Sequence, residues 1–401
     1  MWKWHSRRYS QVASGLRQQT GEALRKTCHI VLTTIHHPAI LTALYDNIQK
    51  HGHLDEVKVW VVGDRKTPVS AGILAREVSR KGLETVYFDI PQQDEWGKAF
   101  PLYKLIPYNT DGRRVFGYLR ALEEGCKIMI AMDDDNFPTD DDFIGGHQRS
   151  GQKWSGTMLR EPAGFHNICE YLTLEPHRLI FPRGFPFQLR GHVNQPEFVP
   201  SPKDATIGVT EGLWLDEPDV DATTWLNGQV KGVGYNGSDL FVLDQSTWSP
   251  INTQNTSVVR ELIPAFVFVT MACPVPGGVL DRYGDIWGGY FLLALIQGTK
   301  YHAAFGRPLV HHRRNPHNYV DDLRHEYWGV ILTDWLLHLL RNSFKPRSRN
   351  VSDRLPELAE FLEAEGVTQL PGWCPPEIKR FLQSTAENIR EWSSACQQVG
   401  V

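Results

Sequence analysis

The chain has 401 residues, 41% hydrophobic, 11% aromatic and 22% charged, with 46 acidic against 42 basic side chains and a formal net charge of −4. This is the composition of a folded protein, not a disordered one, and its length suits one large α/β domain with an appendage or two ordinary domains. The slightly acidic balance argues against a broad nucleic-acid surface and leaves room for a local basic pocket that takes phosphates. Six cysteines at 28, 126, 169, 273, 374 and 396 form no CxxC pair, which sets aside zinc-ribbon and thioredoxin-type chemistry and fits reduced thiols in the cytoplasm.

The first segment, 1–26, reads as a polar, basic leader without the apolar core of a signal peptide. HIVLTTI (29–35) is β-branched and apolar and predicts a buried strand; 39–51 predicts a helix, and VKVWVVGD (57–64) a second strand. AGILAREVSRKG (71–82) has helical spacing and a glycine stop, followed by a third strand at LETVYFDI (83–90). DGRRVFGYLRALEEG (111–125) predicts a helix, and KIMIAMDDDN (127–136) a strand running into three carboxylates. Strand alternating with helix implies a largely parallel sheet covered on both faces. Ligands of such sheets bind at the carboxyl ends of the strands, where Thr33, Thr34, Asp64 and Asp133–Asp135 fall.

From 145 to 260 the chain is richer in Gly, Pro and Asn, predicting short strands and long loops, with GVGYNG (232–237) read as a glycine-rich loop. WGGYFLLALIQG (287–298) and YWGVILTDWLLHLLRNSF (327–344) predict apolar helices, and none of these runs reaches the roughly 18 apolar residues of a membrane span. The tail beyond 351 predicts two or three amphipathic helices around LPGWCPP, an appendage or a surface for self-association into a homo-oligomer. The expected division is a leader at 1–26, a catalytic domain at 27–345 and a helical tail at 346–401.

Three adjacent aspartates at the end of a buried strand repel one another unless a cation neutralises them. A hard divalent ion, Mg²⁺ or Mn²⁺, accepts carboxylate oxygens and keeps positions free for phosphate. The bland alternative, an acidic cap, suits Asp140–Asp142 better than Asp133–Asp135. HHRRNPHN (311–318) adds imidazoles that can complete a coordination shell and guanidiniums that can grip phosphate, unless it is merely a polar loop.

Several segments together resemble the reversibly glycosylated polypeptide family, whose plant members act as UDP-arabinopyranose mutases. RRVFGY (113–118), MDDDNFP (132–138), FPRGFPFQLR (181–190), GLWLDEPDVDA (212–222), NTSVVREL (255–262) and RYGDIWGGY (282–290) follow the family's motifs in order over roughly 29–330. Asn136 stands where the family usually has Cys, Gly284 replaces the first acid of a paired-acid motif, and the tail matches nothing recognisable. The resemblance implies a glycosyltransferase-A-like, Rossmann-type mixed sheet flanked by helices. It implies a metal-dependent, flavin-independent mutase interconverting pyranose and furanose forms of a nucleotide sugar. The departures tip the substrate toward a GDP-hexose or 6-deoxyhexose, as in a bacterial branch, over UDP-arabinose.

Carried over by motif, Arg183, Arg190 and Asp285 are the implied catalytic residues, with Arg183 at the arginine that becomes glycosylated. Asp133, Asp135 and His312 are the implied ligands of Mn²⁺ or Mg²⁺. Thr34, Asp64, Arg114, Asp133, Asp134, Trp214, Asn255 and Trp287 are the implied substrate contacts. Arg183 would form a transient adduct or stabilise the ring-opened sugar, and Asp285 would orient hydroxyls or move protons. The competing readings are a retaining or self-glycosylating glycosyltransferase, which would need an acceptor groove, and a binding subunit without turnover.

Overall fold

The computed structural model describes residues 26–400, so the predicted leader lies outside the described residues apart from Lys26. Four parallel strands, β1 (Cys28–Thr34), β2 (Val57–Gly63), β3 (Glu84–Phe88) and β4 (Ile128–Asp133), lie in the order 3-2-1-4. Every residue of β2 is buried, as expected of a strand covered on both faces. The crossovers carry α1 (Ile40–His51), α2 (Val69–Arg80), α3 (Ile90–Gly97) and α4 (Arg114–Glu123). Local signals set their ends: Gly52 closes α1 in a left-handed conformation, and Asp89 and Gln92 form a capping box on α3.

Past β4 the sheet becomes mixed. The strands are β5 (Asn136–Pro138), β6 (Leu172–Glu175), β7 (Thr206–Asp216), β8 (Lys231–Tyr235), β9 (Leu240–Val242), β10 (Asn255–Val259) and β11 (Tyr301–His312). The full path runs β9-β11-β7-β10-β4-β1-β2-β3, with β10 antiparallel to β4 and β7, and β11 parallel to β7. The short β5 turns back from the aspartates and pairs antiparallel with the end of β11, which sets His312 opposite Asn136. The GVGYNG segment is a loop only at Asn236 and Gly237: 231–235 is strand β8, paired with β6 across an irregularity between Gly232 and Gly234. Its glycines obscure the β signal because they supply no alternating side chains.

Two long helices lie behind the downstream strands, α5 (Gly284–Leu295) and α6 (Tyr319–Asn342). The second starts eight residues before its apolar run because Asn318 caps it, accepting from the Val320 and Asp321 amides. The tail contributes α7 (Arg354–Phe361) and α8 (Pro376–Gln398). Ile378, Phe381, Leu382, Ile389 and Trp392 of α8 are buried in the same core as the sheet. Phe381 meets Trp287 edge-on at 5.9 Å, and the Trp392 indole donates to the Pro264 carbonyl at 2.7 Å. At about 1.5–3 kcal/mol per large apolar side chain, this burial rivals the net stability of a whole domain. The apolar face of α8 is thus covered within the chain.

Candidate active site

The end of β4 is fixed by α4. Arg114 is buried and donates to Asp133 Oδ1 at 2.7 Å, to Thr33 Oγ1 at 3.2 Å and to Thr253 Oγ1 at 2.6 Å. Asp134 turns the other way, where its Oδ2 accepts the Thr34 hydroxyl. Asp135 accepts the Asn136 amide at 2.9 Å and faces His312 Nε2 at 3.5 Å. Asn136, at the position where the resemblance leads one to expect Cys, therefore orients a carboxylate. His312 is 3% exposed, and its Nδ1–H donates to the Glu217 carbonyl at 2.7 Å, which leaves Nε2 directed at Asp135.

These carboxylates differ in proton affinity. Burial, opposed by Arg114 and reinforced by Asp135, pushes Asp133 up to about 7, although its side chain keeps 27% of its surface open to the cleft. Burial also raises Asp134. For Asp135 burial acts upward too, but the hydrogen bond and charge of His312 bring it below the usual carboxylate range.

A second group comes from distant segments. Arg183 is 6% exposed and donates through Nε to Asp219 at 3.1 Å and through Nη2 to Asp285 Oδ2 at 2.7 Å; Nη1 bonds the Arg282 carbonyl. Burial works against this cation, yet Asp219 and Asp285 hold it far above its ordinary value, so it remains charged. Asp219 also accepts the Asn252 amide at 3.2 Å, and Arg183 draws it below the usual range against the opposing effect of burial.

The loop bearing Arg183 is seated on α5. The Gly184 carbonyl accepts the Tyr290 hydroxyl at 2.8 Å, and a Cβ on Gly184 would come within 2.2 Å of Ile286. Asp285 lies in the first turn of α5, where the helix dipole favours a carboxylate. Gly284 leaves no room for the second acid: a Cβ there would stand 2.4 Å from the Val269 carbonyl. Arg282 precedes this turn at φ 61° and is held by Glu326 and Asp322 of α6.

Both groups line one cleft of about 590 Å³, open solvent included. Of the residues expected from sequence it unites Arg114, Asp133, Asp135, Arg183, Asp285 and His312. Thr34 and Asp134 sit beside it as a bonded pair. Asp64 is tied to the Asn109 amide at 2.6 Å. The lining does not include Arg190, which pairs with Asp221, the cap of the short helix Ala222–Leu226. Trp214 is fully buried. Asn255 accepts from the Nε2–H of buried His147 at 2.8 Å and donates to the Leu213 carbonyl. Trp287 donates to Thr333 Oγ1 in the core. These last three are placed as packing residues, because β7 up to Trp214, all of β10 and all of α5 are buried at consecutive positions. Asp219, Arg282, Arg314 and His317 line the cleft without having been singled out, although each lies inside a segment whose pattern had been recognised.

The fit to a divalent ion can be tested on the donors present. Among the described residues no three His, Cys, Asp or Glu side chains converge as a metal-holding group. Asp133 gives its Oδ1 to Arg114, whereas Asp135 and the Nε2 of His312 face each other without an arginine between them. One carboxylate and one oriented imidazole fit a divalent ion that takes its remaining ligands from phosphate and water.

Fold and cleft define an α/β protein with a charged binding site at the carboxyl ends of its parallel strands. The chain belongs to the reversibly glycosylated polypeptide family, whose model matches residues 92–397. The match takes in the tail, which the motifs alone had left outside. Similar proteins include UDP-arabinopyranose mutase 2 of Arabidopsis thaliana, 26% identical over 61% of this chain and 62% of that protein. UDP-arabinopyranose mutase 1 of Oryza sativa subsp. japonica is 25% identical over 73% of this chain and 74% of its own length. The chain covers about three fifths of the first of these relatives.

Among solved structures, glucosyl-3-phosphoglycerate synthase from Mycobacterium tuberculosis, in complex with Mn²⁺ and UDP-glucose, matches with a TM-score of 0.37. It is 13% identical over 77% of this chain and 79% of that one. A mannosyltransferase from Pyrobaculum calidifontis, in complex with GDP-mannose and Mn²⁺, matches with a TM-score of 0.36 and 12% identity over 94% and 74%.

Proposed function

We propose that the chain is a metal-dependent, flavin-independent mutase that interconverts the pyranose and furanose forms of a nucleotide sugar. The observation that carries this reading is the meeting, in one cleft, of the Asp133–Asp135–His312 group with the Arg183–Asp219–Asp285 group. Membership of the family and the mutase relatives support it. Such an interchange breaks the bond between C1 and the diphosphate oxygen, closes a different hydroxyl onto C1 with loss of its proton, breaks the old ring C1–O bond with return of a proton to that oxygen, and remakes the bond from C1 to the diphosphate.

Asp135 and His312 would hold Mn²⁺ or Mg²⁺, which when bound supplies positive charge to the departing diphosphate. Arg114 fixes the neighbouring Asp133. Arg183, permanently cationic between two carboxylates, is a poor nucleophile, and its geometry favours positioning Asp219 and Asp285 over forming a covalent adduct. Asp285 orients sugar hydroxyls, accepts the proton that the ring-closing hydroxyl gives up and returns it to the old ring oxygen. Asn136 and Gly284 reshape the two ends of the site, which keeps a GDP-hexose or 6-deoxyhexose as the proposed substrate over UDP-arabinose.

The setting we propose is cytoplasmic: all six cysteines are free thiols, and among the described residues no helix is long and apolar enough to cross a membrane. Self-association, if the tail mediates it, uses the outward face of α8.

The test is incubation with a panel of UDP- and GDP-sugars and Mn²⁺, without acceptor. The expected result is a product of unchanged mass with furanose couplings by NMR, abolished by EDTA. Free sugar and nucleotide alone, or sugar attached to the protein, would replace the mutase with a transferase.

A further inference from the structure

Four guanidiniums face the cleft, and three of them are neutralised from within the protein. Arg114 pairs with Asp133, Arg183 with Asp219 and Asp285, and Arg282 with Glu326 and Asp322. Arg314 differs. Among the described residues its side chain makes no ion pair and no hydrogen bond, and its Nη1 is buried without a partner. A buried charged donor left unpaired is unfavourable unless a ligand completes it.

The position of Arg314 is nevertheless built. Its backbone amide donates to Glu217 Oε2 at 2.8 Å, and its guanidinium lies 5.3 Å from the centre of the Trp225 ring. Glu217 also accepts, through its carbonyl, the Nδ1–H of His312. One residue thereby anchors both Arg314 and the imidazole that faces Asp135. Arg314 lines the same cleft as Asp135 of one group and Asp219 of the other.

We infer that Arg314 grips the β-phosphate of the nucleoside diphosphate through its unpaired fork. This rests on the nucleotide-sugar reading of the cleft and assigns a residue within it. The β-phosphate bears the bond to C1. When that bond breaks, the electron pair stays on the β-phosphate oxygen, so the anion facing Arg314 gains charge while the sugar is detached. A planar guanidinium suits two phosphate oxygens at once, which Lys does not reproduce.

The experiment is calorimetric titration of wild-type protein, Arg314→Ala, Arg314→Gln and Arg314→Lys with UDP, GDP, UMP and GMP at fixed Mn²⁺. The expected result is a diphosphate Kd raised about tenfold or more in the Ala and Gln variants, with partial recovery in Lys. Monophosphate binding, lacking the β-phosphate, should stay within about twofold for every variant that melts like wild type. Equal loss for mono- and diphosphates, or no loss, overturns the assignment. Wild-type protein that binds none of the four overturns the nucleotide reading itself, and the inference with it.

Discussion

The strand-end group and the Arg183 group each present two carboxylates to the cleft, but they are neutralised differently. Asp219 and Asp285 share one buried guanidinium whose three nitrogens all donate, so that side is saturated and rigid before any ligand arrives. Asp133 and Asp135 lie close in sequence with one arginine and one histidine between them, and Asp133 remains proton-hungry. One side is organised by protein charges, whereas the other is left to be completed by a cation and phosphate.

Breaking the saturated side should have the largest effect. Arg183→Ala leaves two buried carboxylates uncompensated, with an expected stability loss of about 3–5 kcal/mol by denaturant titration. Arg183→Lys keeps a charge but not the fork, and mutase turnover should fall roughly 10²–10³-fold. Turnover retained by the Lys variant would exclude a covalent arginine and show that the clamp's geometry is dispensable.

Opening the strand-end side should cost activity with little stability. EDTA should stop turnover, Mn²⁺ should restore it, and His312→Ala should raise the Mn²⁺ concentration needed for half-maximal rate about 10–100-fold. A variant that needs no more Mn²⁺ than wild type would remove His312 from the ligand set. The space between the groups is sharpened by Arg314→Ala, which should release several-fold more free sugar per isomerisation, by product chromatography, because the detached diphosphate is held less firmly.

The smallest effect expected is in acid. The folded-state pKa of Asp219 is depressed by Arg183 below its unfolded value of about 3.9. Its contribution to stability is therefore present above pH ~4 and lost as pH falls through the folded value. Asp219→Asn should flatten that part of the acid unfolding profile; an unchanged profile would mean that other carboxylates govern it.

The parallel half of the sheet was legible because β1 to β4 and their helices carry clean periods and glycine stops. Asp133–Asp135 was legible because three like charges ending an apolar strand demand an explanation. The clamp was only half visible. Arg183 and Asp285 stood out through motif resemblance, but Asp219 is 36 residues from Arg183, and no local pattern reports a pairing at that separation. Arg190, Trp214, Asn255 and Trp287 show the converse: a motif marks a segment, and the packing around that segment decides which of its side chains enters the cleft. The coverage of α8 by the core was hidden for a related reason, since amphipathicity reveals an apolar face without naming what covers it.

The docking of α8 on Pro264 and Trp287 makes the order of synthesis matter. Residues 376–398 leave the ribosome after every residue of the cleft has been made, yet they fill the core against the helix that carries Asp285. During the seconds needed to translate the tail, at about 5–20 residues per second, the nascent chain exposes that apolar surface to chaperones. A premature stop ahead of α8 would leave every cleft residue encoded and the apolar surface beneath the helix uncovered.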